Sequence, residues 1–326
     1  MSSGRAQHVI GTVAGLAAVG ISACVYAAYR RDIRAARVRI ASGSLIAETR
    51  AGWIEYASAG DGPPVLLVHG AGGGYDQGLD LGEPLIARGF RVIAMSRFGY
   101  LRTPLPLDAS ATAQADGHAC LLDALGIERA AVMGASAGAP SAMQFALRHP
   151  QRCRALVLLV PAAYAPRPGG AAAVTPPMNA MPAWTRHLFD LALGSDFIFW
   201  AAQRISRAMM IRTILGTPTD VMEHASPAEQ ARVATMLEHI LPIAPRQAGL
   251  LNDASVISSL ERFDLERIAL PTLAISAADC LYGTFEGARY TAEHVPGARF
   301  IGYPTGGHLC VGHQEEFASE IAAFLM

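Results

Sequence analysis

The stretch Ala130-Ala131-Val132-Met133-Gly134-Ala135-Ser136-Ala137-Gly138 decides the expected fold of this chain. Its first four residues are apolar and predict a buried strand, and residues 139–148 after the turn predict a helix. Gly134 and Gly138 lack the Cβ atoms that would crowd so sharp a turn, which leaves the hydroxyl of Ser136 clear above the end of the strand. This arrangement is typical of a nucleophile held at the edge of a sheet.

A second glycine-rich turn, His69-Gly70-Ala71-Gly72-Gly73-Gly74, follows the apolar run of residues 64–68. A buried strand that runs into such a turn exposes backbone N–H groups, which can stabilise the negative charge that develops on a carbonyl oxygen. The turn lacks the Gly-Lys-Ser/Thr ending of a phosphate-binding loop. An oxyanion site is therefore the favoured interpretation, with a structural role inside the loop for His69.

Two further polar residues follow apolar runs near the C-terminus. Asp279 comes just after residues 272–275, and His308 follows residues 299–303. A serine hydroxyl is a poor nucleophile until a base takes its proton, and histidine suits that task because its pKa lies near neutrality. A carboxylate on the other ring nitrogen fixes the tautomer of the imidazole. The order Ser, Asp, His therefore indicates hydrolysis by an activated serine.

With these motifs, the chain resembles the α/β-hydrolases over residues 43–326, in the lidded esterase- and lipase-like branch that has an H-G-x-G-G-G loop. The resemblance implies that Ser136 is the nucleophile, His308 the general base and Asp279 the residue that orients the imidazole. A serine at the turn differs from the aspartate of the epoxide hydrolase and haloalkane dehalogenase branches. The resemblance implies no cofactor and no metal.

The resemblance also implies an oxyanion hole formed by the backbone N–H groups of Ala137 and Ala71, with Gly72 as the next candidate. The family often has Asp-x-x-G-x-G-x-S after its fourth strand, whereas residues 96–103 of this chain read Ser-Arg-Phe-Gly-Tyr-Leu-Arg-Thr. This departure affects the expected details of that loop and leaves the three catalytic candidates in place.

The residues leave alternatives open for two of the three positions. Asp279 would also suit the N-terminus of a helix that starts near residue 284, which makes Asp253 and Asp264 the alternative acids. His313 is the alternative base. Cys280 and Cys310, each within two residues of a catalytic candidate, are expected to be small side chains that fill the wall of the site.

Apolar runs alternate with helical patterns along the chain and predict an α/β fold. Their near-continuous apolar character fits a mostly parallel sheet with helices on both faces. The predicted strands are residues 45–48, 53–57, 65–68, 91–95, 130–133, 155–160, 272–275 and 300–303. Ligands in such sheets bind at the carboxyl ends of the strands, where the candidate residues fall. We expect a hydrolase core over residues 43–161 and 261–326.

Residues 162–260 interrupt this pattern and predict a helical lid. Residues 161–183 are rich in proline, glycine and alanine and indicate a linker. Apolar residues between 197 and 215 are expected to lie in one helix and to line part of a substrate pocket. The candidates for substrate contact are Trp200, Met209 and Met210.

Residues 1–42 form a separate unit. No charged residue occurs from Val9 to Tyr29, and five arginines follow between residues 30 and 39. A stretch of this length predicts a single membrane-spanning anchor, and the arginines place the catalytic domain on the cytoplasmic side. Export is the alternative, because Ile21-Ser22-Ala23-Cys24 resembles a lipoprotein signal. The formal net charge of −1 favours no nucleic-acid partner.

Together these features predict a membrane-associated serine hydrolase that cleaves a hydrophobic carboxylic ester through an acyl-enzyme, with membrane lipid as a further partner. Lactone, amide and C–C bond hydrolysis use the same residues, so they remain alternatives. A non-catalytic binding module with this fold is the alternative of a different class. The sequence leaves the oligomeric state undetermined.

Overall fold

An eight-stranded sheet forms the centre of the protein in a computed structural model, which describes residues 3–166, 191 and 193–326. The strand order is β1-β2-β4-β3-β5-β6-β7-β8. β1 and β4 pair antiparallel with β2, and the other neighbours pair in parallel. The strands are β1 (Leu45–Thr49), β2 (Gly52–Ala59), β3 (Pro64–Val68), β4 (Arg91–Met95), β5 (Ala130–Ala135), β6 (Cys153–Leu159), β7 (Thr272–Ala277) and β8 (Arg299–Tyr303). The predicted α/β fold with a mostly parallel sheet is confirmed.

Helices cover both faces of this sheet because the apolar side chains of each strand alternate between two buried clusters. Leu66 and Val68 pack in one cluster with α3 and α4, while Val65 and Leu67 pack in the other with α2 and α11. The helices are α1 (Ser3–Ser42), α2 (Tyr75–Ile86), α3 (Ala111–Ala124), α4 (Ala139–Arg148), α5 (Asp196–Ile205), α6 (Arg207–Ile214), α7 (Thr219–His224), α8 (Pro227–Glu238), α9 (Gln247–Ser258), α10 (Thr284–His294) and α11 (Gln314–Leu325).

Helices α5 to α9 lie between β6 and β7, in the region where the sequence predicts a lid. The apolar residues expected in one helix are divided between α5 and α6, because Ser206 interrupts the helix. The side chains of Ser195 and Ser226 cap α5 and α8 by accepting bonds from backbone N–H groups three residues later. Most of the linker predicted over 161–183 lies outside the described residues.

The predicted membrane anchor is wrong. Residues 3–42 do form one helix, but among the described residues no helix combines the length and the apolar character that a membrane span needs. Alanine and glycine supply much of the uncharged stretch of α1, and they contribute less to membrane insertion than the large aliphatic residues do. The predicted membrane location and lipid partner depended on this anchor and are corrected with it.

The C-terminal part of α1 packs on the helices that follow β6. Ile33 is buried in the same apolar cluster as Phe199 and Trp200, and the indole N–H of Trp200 donates to Asp32 at 2.9 Å. Arg37 pairs with Asp196 at 3.1 Å across the same interface. Arginines expected to lie beside a membrane therefore include residues that make ion pairs within the protein.

Candidate active site

Ser136 sits in a backbone conformation that the turn after β5 imposes on it. Its φ is 48°, in the left-handed region that residues with a side chain rarely adopt. A Cβ at Gly138 would lie 2.4 Å from the carbonyl oxygen of Val68, and a Cβ at Gly134 would lie 2.6 Å from the Cβ of Ala142. Only glycine at these two positions lets β5, α4 and the end of β3 approach closely enough to hold the turn. Ser136 itself stays partly accessible.

The imidazole of His308 contacts this serine directly. His308 lies in a short 3₁₀ turn after β8, and its Nε2 is 2.8 Å from the Oγ of Ser136. The side chain is buried, and desolvation lowers its pKa to about 4. The imidazole is therefore neutral near pH 7 and able to accept a proton. The structure brings together these two residues, which are 172 positions apart in the chain.

The other ring nitrogen of His308 faces a thiol. Its Nδ1 is 3.2 Å from the Sγ of Cys280, which the sequence indicated only as a filler of the wall. Asp279, predicted to orient the imidazole, accepts bonds from the backbone N–H groups of Gly306 and Gly307 at 3.1 and 2.8 Å. The carboxylate thus holds the turn that carries His308, while the neighbouring residue contacts the ring. The position of Cys280 next to Asp279 was the available signal.

The alternative acids and the alternative base have other partners. Asp253 accepts two bonds from the guanidinium of Arg97, at 2.7 and 2.6 Å, and is buried. Asp264 pairs with Arg267 at 3.3 Å at the surface. The ring of His313 stacks on Tyr303 with 3.9 Å between the centroids.

The glycine-rich loop lies against the serine, as its predicted role requires. A Cβ added to Gly70 would be 3.1 Å from the Cβ of Ser136. The N–H of Gly72 donates to the hydroxyl of Tyr100 at 3.4 Å, so this candidate donor already has an acceptor. Ala71 is exposed and Ala137 is buried. Both lie next to residues that meet at the site, Ala71 after Gly70 and Ala137 after Ser136.

His69 holds this loop together. Its Nδ1 donates to the carbonyl of Gly70 at 2.7 Å, and its Nε2 accepts from the N–H of Arg97 at 3.0 Å. These two bonds fix the tautomer of the ring. Complete burial lowers the pKa of His69 well below its usual range, so the ring stays neutral.

The segment between β6 and β7 reaches the residues around the site at two points that the sequence did not indicate, and Tyr282 after β7 gives a third contact. The carbonyl of Gly216 accepts from the N–H of His308 at 3.2 Å and from that of Leu281 at 3.0 Å. The ring of Tyr282 meets that of His308 edge to face at 4.8 Å. Ile240 lies beside Gly72, where an added Cβ would be 3.7 Å from its side chain. The segment between β6 and β7 therefore lies against the turn of His308 and the glycine-rich loop.

The predicted substrate contacts have different surroundings. Trp200 is buried and packs with Tyr29 and Phe197 at the interface with α1. Met209 is 56% exposed, and Met210 packs at the edge of the same apolar cluster as Trp200. Within the described parts of the chain, no three side chains of the His, Cys, Asp and Glu types are placed to hold a metal ion.

Comparison with known proteins finds several hydrolases that this chain resembles. One relative is a 2-hydroxy-6-oxononadienedioate/2-hydroxy-6-oxononatrienedioate hydrolase of Paraburkholderia xenovorans. The two sequences are 39% identical over 112 residues, and this stretch covers 32% of this chain and 39% of that protein. It is 33% identical over 113 residues to a 2-hydroxy-6-oxo-6-phenylhexa-2,4-dienoate hydrolase of Comamonas testosteroni, over 33% of this chain and 40% of that one. The chain thus spans about two-fifths of the length of these curated relatives.

The similarity to solved structures extends much further along the chain. An alpha/beta hydrolase fold protein from Nakamurella multipartita superposes with a TM-score of 0.69 and 26% identity, over 87% of this chain and 99% of that protein. The family described as the alpha/beta hydrolase fold matches residues 63–311, which include Ser136, Asp279 and His308. This chain is a member of the alpha/beta hydrolase fold family.

Proposed function

We propose that this protein is a serine hydrolase in which Ser136 attacks a carbonyl carbon and His308 is the general base. The observation that carries the proposal is the 2.8 Å contact between the Oγ of Ser136 and the Nε2 of a neutral, buried imidazole. A nucleophile within hydrogen-bond distance of a base is the arrangement that covalent catalysis requires. The strained backbone of Ser136 presents the hydroxyl beside the glycine-rich loop.

The proposed reaction has two stages. His308 takes the proton of Ser136 as the serine oxygen bonds to the carbonyl carbon, and backbone N–H groups of Ala137 and Ala71 stabilise the oxyanion. The imidazolium then gives its proton to the leaving group, and an acyl-enzyme remains. A water molecule, deprotonated by the same ring, releases the acyl group from Ser136.

Reaction with a fluorophosphonate tests the nucleophile without knowledge of the substrate. Wild-type protein should be labelled, and Ser136→Ala should not. Ser141→Ala is a matched control, since Ser141 Oγ also lies near a histidine, 3.1 Å from the Nε2 of His118, but this pair is fully buried. Labelling that persists in Ser136→Ala would contradict the proposal.

For the bond that is cleaved, the relatives favour C–C hydrolysis. The names of the two curated relatives describe 2-hydroxy-6-oxo-dienoates, which have a ketone at carbon 6 for a serine to attack. We therefore place hydrolysis of a C–C bond beside a ketone first. It is one of the alternatives that the sequence left open.

Ester hydrolysis is the second candidate because of the charges beside the site. A dienoate has a carboxylate that needs a cationic partner. In the part of the chain that the structure describes, two buried guanidinium groups lie near residues 69–74, and both are already paired, Arg97 with Asp253 and Arg246 with Asp76. An ester without a carboxylate would need no such partner, and the predicted ester hydrolysis fits this observation.

A direct comparison of substrates separates the two candidates. The purified protein is given 2-hydroxy-6-oxo-6-phenylhexa-2,4-dienoate and, separately, p-nitrophenyl esters of increasing acyl length, and kcat/KM is measured for each. Greater turnover of the dienoate that disappears in Ser136→Ala supports C–C hydrolysis. Turnover of the esters alone assigns the protein to ester hydrolysis.

A further inference from the structure

The contact on the far side of His308 raises a question about what orients the general base. In a Ser-His-Asp site a carboxylate accepts the Nδ1–H bond. Here both oxygens of Asp279 accept backbone N–H groups of the turn, and the atom that faces Nδ1 is the Sγ of Cys280. Cys280 and His308 are both buried, so bulk water has little access to this contact.

The sulfur is itself held by two hydroxyls. Thr284 donates to the Sγ of Cys280 at 3.1 Å, and Ser276 lies 3.0 Å from the hydroxyl of Thr284. Since Thr284 donates to sulfur, Ser276 donates to Thr284. All three side chains are buried between β7 and the start of α10. The bond from Thr284 uses one lone pair of the sulfur and leaves a second that can accept Nδ1–H.

The direction of these bonds suits a general base. Nε2 can accept the proton of Ser136 only if the hydrogen of the neutral ring is on Nδ1, and the sulfur is the acceptor in place to receive it. A series of five groups thus runs from Ser276 through Thr284, Cys280 and His308 to Ser136.

We propose that Cys280 is the positioning residue of His308, so that this protein uses a Ser-His-Cys arrangement in which sulfur takes the place of the usual carboxylate. The proposal rests on the proposed role of Ser136 and His308. Asp279 acts one step further away, by holding the turn of Gly306 and Gly307.

The lowered pKa of His308 agrees with an Nδ1 partner that is not a carboxylate. Burial is the cause that lowers the pKa of His308, whereas a carboxylate bonded to Nδ1 would raise it by stabilising the imidazolium. A carboxylate introduced at residue 280 should therefore change the pH dependence of the site in a defined direction.

Substitutions at residue 280 test the positioning role through the rate of fluorophosphonate labelling. Cys280→Ala should slow labelling about 10- to 100-fold, a loss of the size seen when the group that orients a metal-bound histidine is removed. Cys280→Ser keeps an acceptor for Nδ1–H and should restore most of the rate. Cys153→Ala is the matched control, because Cys153 is also buried but lies at the start of β6, and it should leave the rate unchanged.

The pH profile gives a measurement that a structural role alone would not change. Cys280→Asp should raise the lower apparent pKa of the labelling rate, and NMR titration of the His308 ring should show the same shift. Asp279→Asn should leave both values near those of the wild type. A profile that moves with Asp279→Asn, and not with any substitution of Cys280, would overturn the proposal and return the role to Asp279.

The two proposals fail in different ways. Labelling that survives Ser136→Ala contradicts the serine hydrolase itself. Labelling that requires Ser136, together with a wild-type rate and pH profile in Cys280→Ala, contradicts only the role of the thiol.

Discussion

At the scale of single residues, the active site depends on how closely three backbone segments approach one another. Ser136 is strained, and the segments before and after it leave no room for further atoms. A Cβ at Gly138 would lie 2.4 and 2.6 Å from the carbonyl oxygens of Val68 and His69. These are backbone atoms, which cannot move away by a change of rotamer as a side chain can. The geometry of the nucleophile therefore depends on glycine residues that take no part in the reaction.

Gly138→Ala should destabilise the protein by about 1–3 kcal/mol, the typical cost of overpacking, and should abolish fluorophosphonate labelling. Gly20→Ala on α1 is the control, because nothing lies within 4 Å of its added Cβ. Denaturant unfolding and labelling measure the two effects. Equal stability of the two variants would show that the turn can relax.

At the scale of elements, buried ion pairs join the inserted helices to the core. Arg97 follows β4, and its guanidinium forms a two-bond pair with Asp253 on α9; both side chains are almost fully buried. Tyr100 donates a further bond to Asp253. The pair fixes α9 above the loop of residues 69–74, because Arg97 also bonds the backbone there.

Arg97→Met should cost about 3–5 kcal/mol, because it leaves the carboxylate of Asp253 buried without its cation. The double variant Arg97→Met, Asp253→Leu should regain much of that loss. Equilibrium unfolding in urea gives both values. If the double variant were no more stable than the single one, an unpaired charge would not be the cause.

The packing of α1 on the inserted helices gives a second prediction at this scale. Ile33→Ala should cost about 2–5 kcal/mol, since Ile33 is only 4% exposed within an apolar cluster. Val38→Ala on the same helix, where the side chain is 59% exposed, should change stability by less than about 0.5 kcal/mol. Denaturant unfolding compares the two, and a similar effect of both would mean that α1 is not docked in solution.

The comparison of sequence and structure is also best made element by element. Every predicted strand is present, because a run of apolar residues between turns has few other ways to be buried. The prediction of a membrane anchor was wrong because the length of the uncharged stretch says nothing of its apolar character, which its many alanine and glycine residues keep low. The sequence places both Asp279 and Cys280 near His308 but does not decide which of them faces Nδ1, since they are consecutive residues of one turn. Which of them faces the ring depends on backbone angles that composition does not determine.

For the whole molecule, buried neutral histidines link stability to pH. Burial lowers the pKa of His308 to about 4 and that of His118 to about 3, and it also lowers that of His69. In the unfolded chain these rings bind protons near pH 6.5. Between these values the unfolded state therefore holds more protons, so stability falls as the pH decreases from about 6.5 towards 3.

His118→Phe should reduce this loss without touching the catalytic residues, because the Nδ1 of His118 has no partner among the described residues and its ring is completely buried. Unfolding free energies measured from pH 7 to pH 3.5 should fall less steeply than in the wild type. The exposed His224 provides a control through His224→Gln. An unchanged slope in His118→Phe would contradict the assignment.

The exposure of the five cysteines allows a fluorescent label to be attached to α1. Cys24 is exposed on this helix, Cys120 is partly covered, and Cys153, Cys280 and Cys310 are buried. A maleimide dye should therefore attach to Cys24 first and leave the thiol beside His308 intact. Fluorescence anisotropy of that dye would then report whether the long helix stays docked while substrate is turned over.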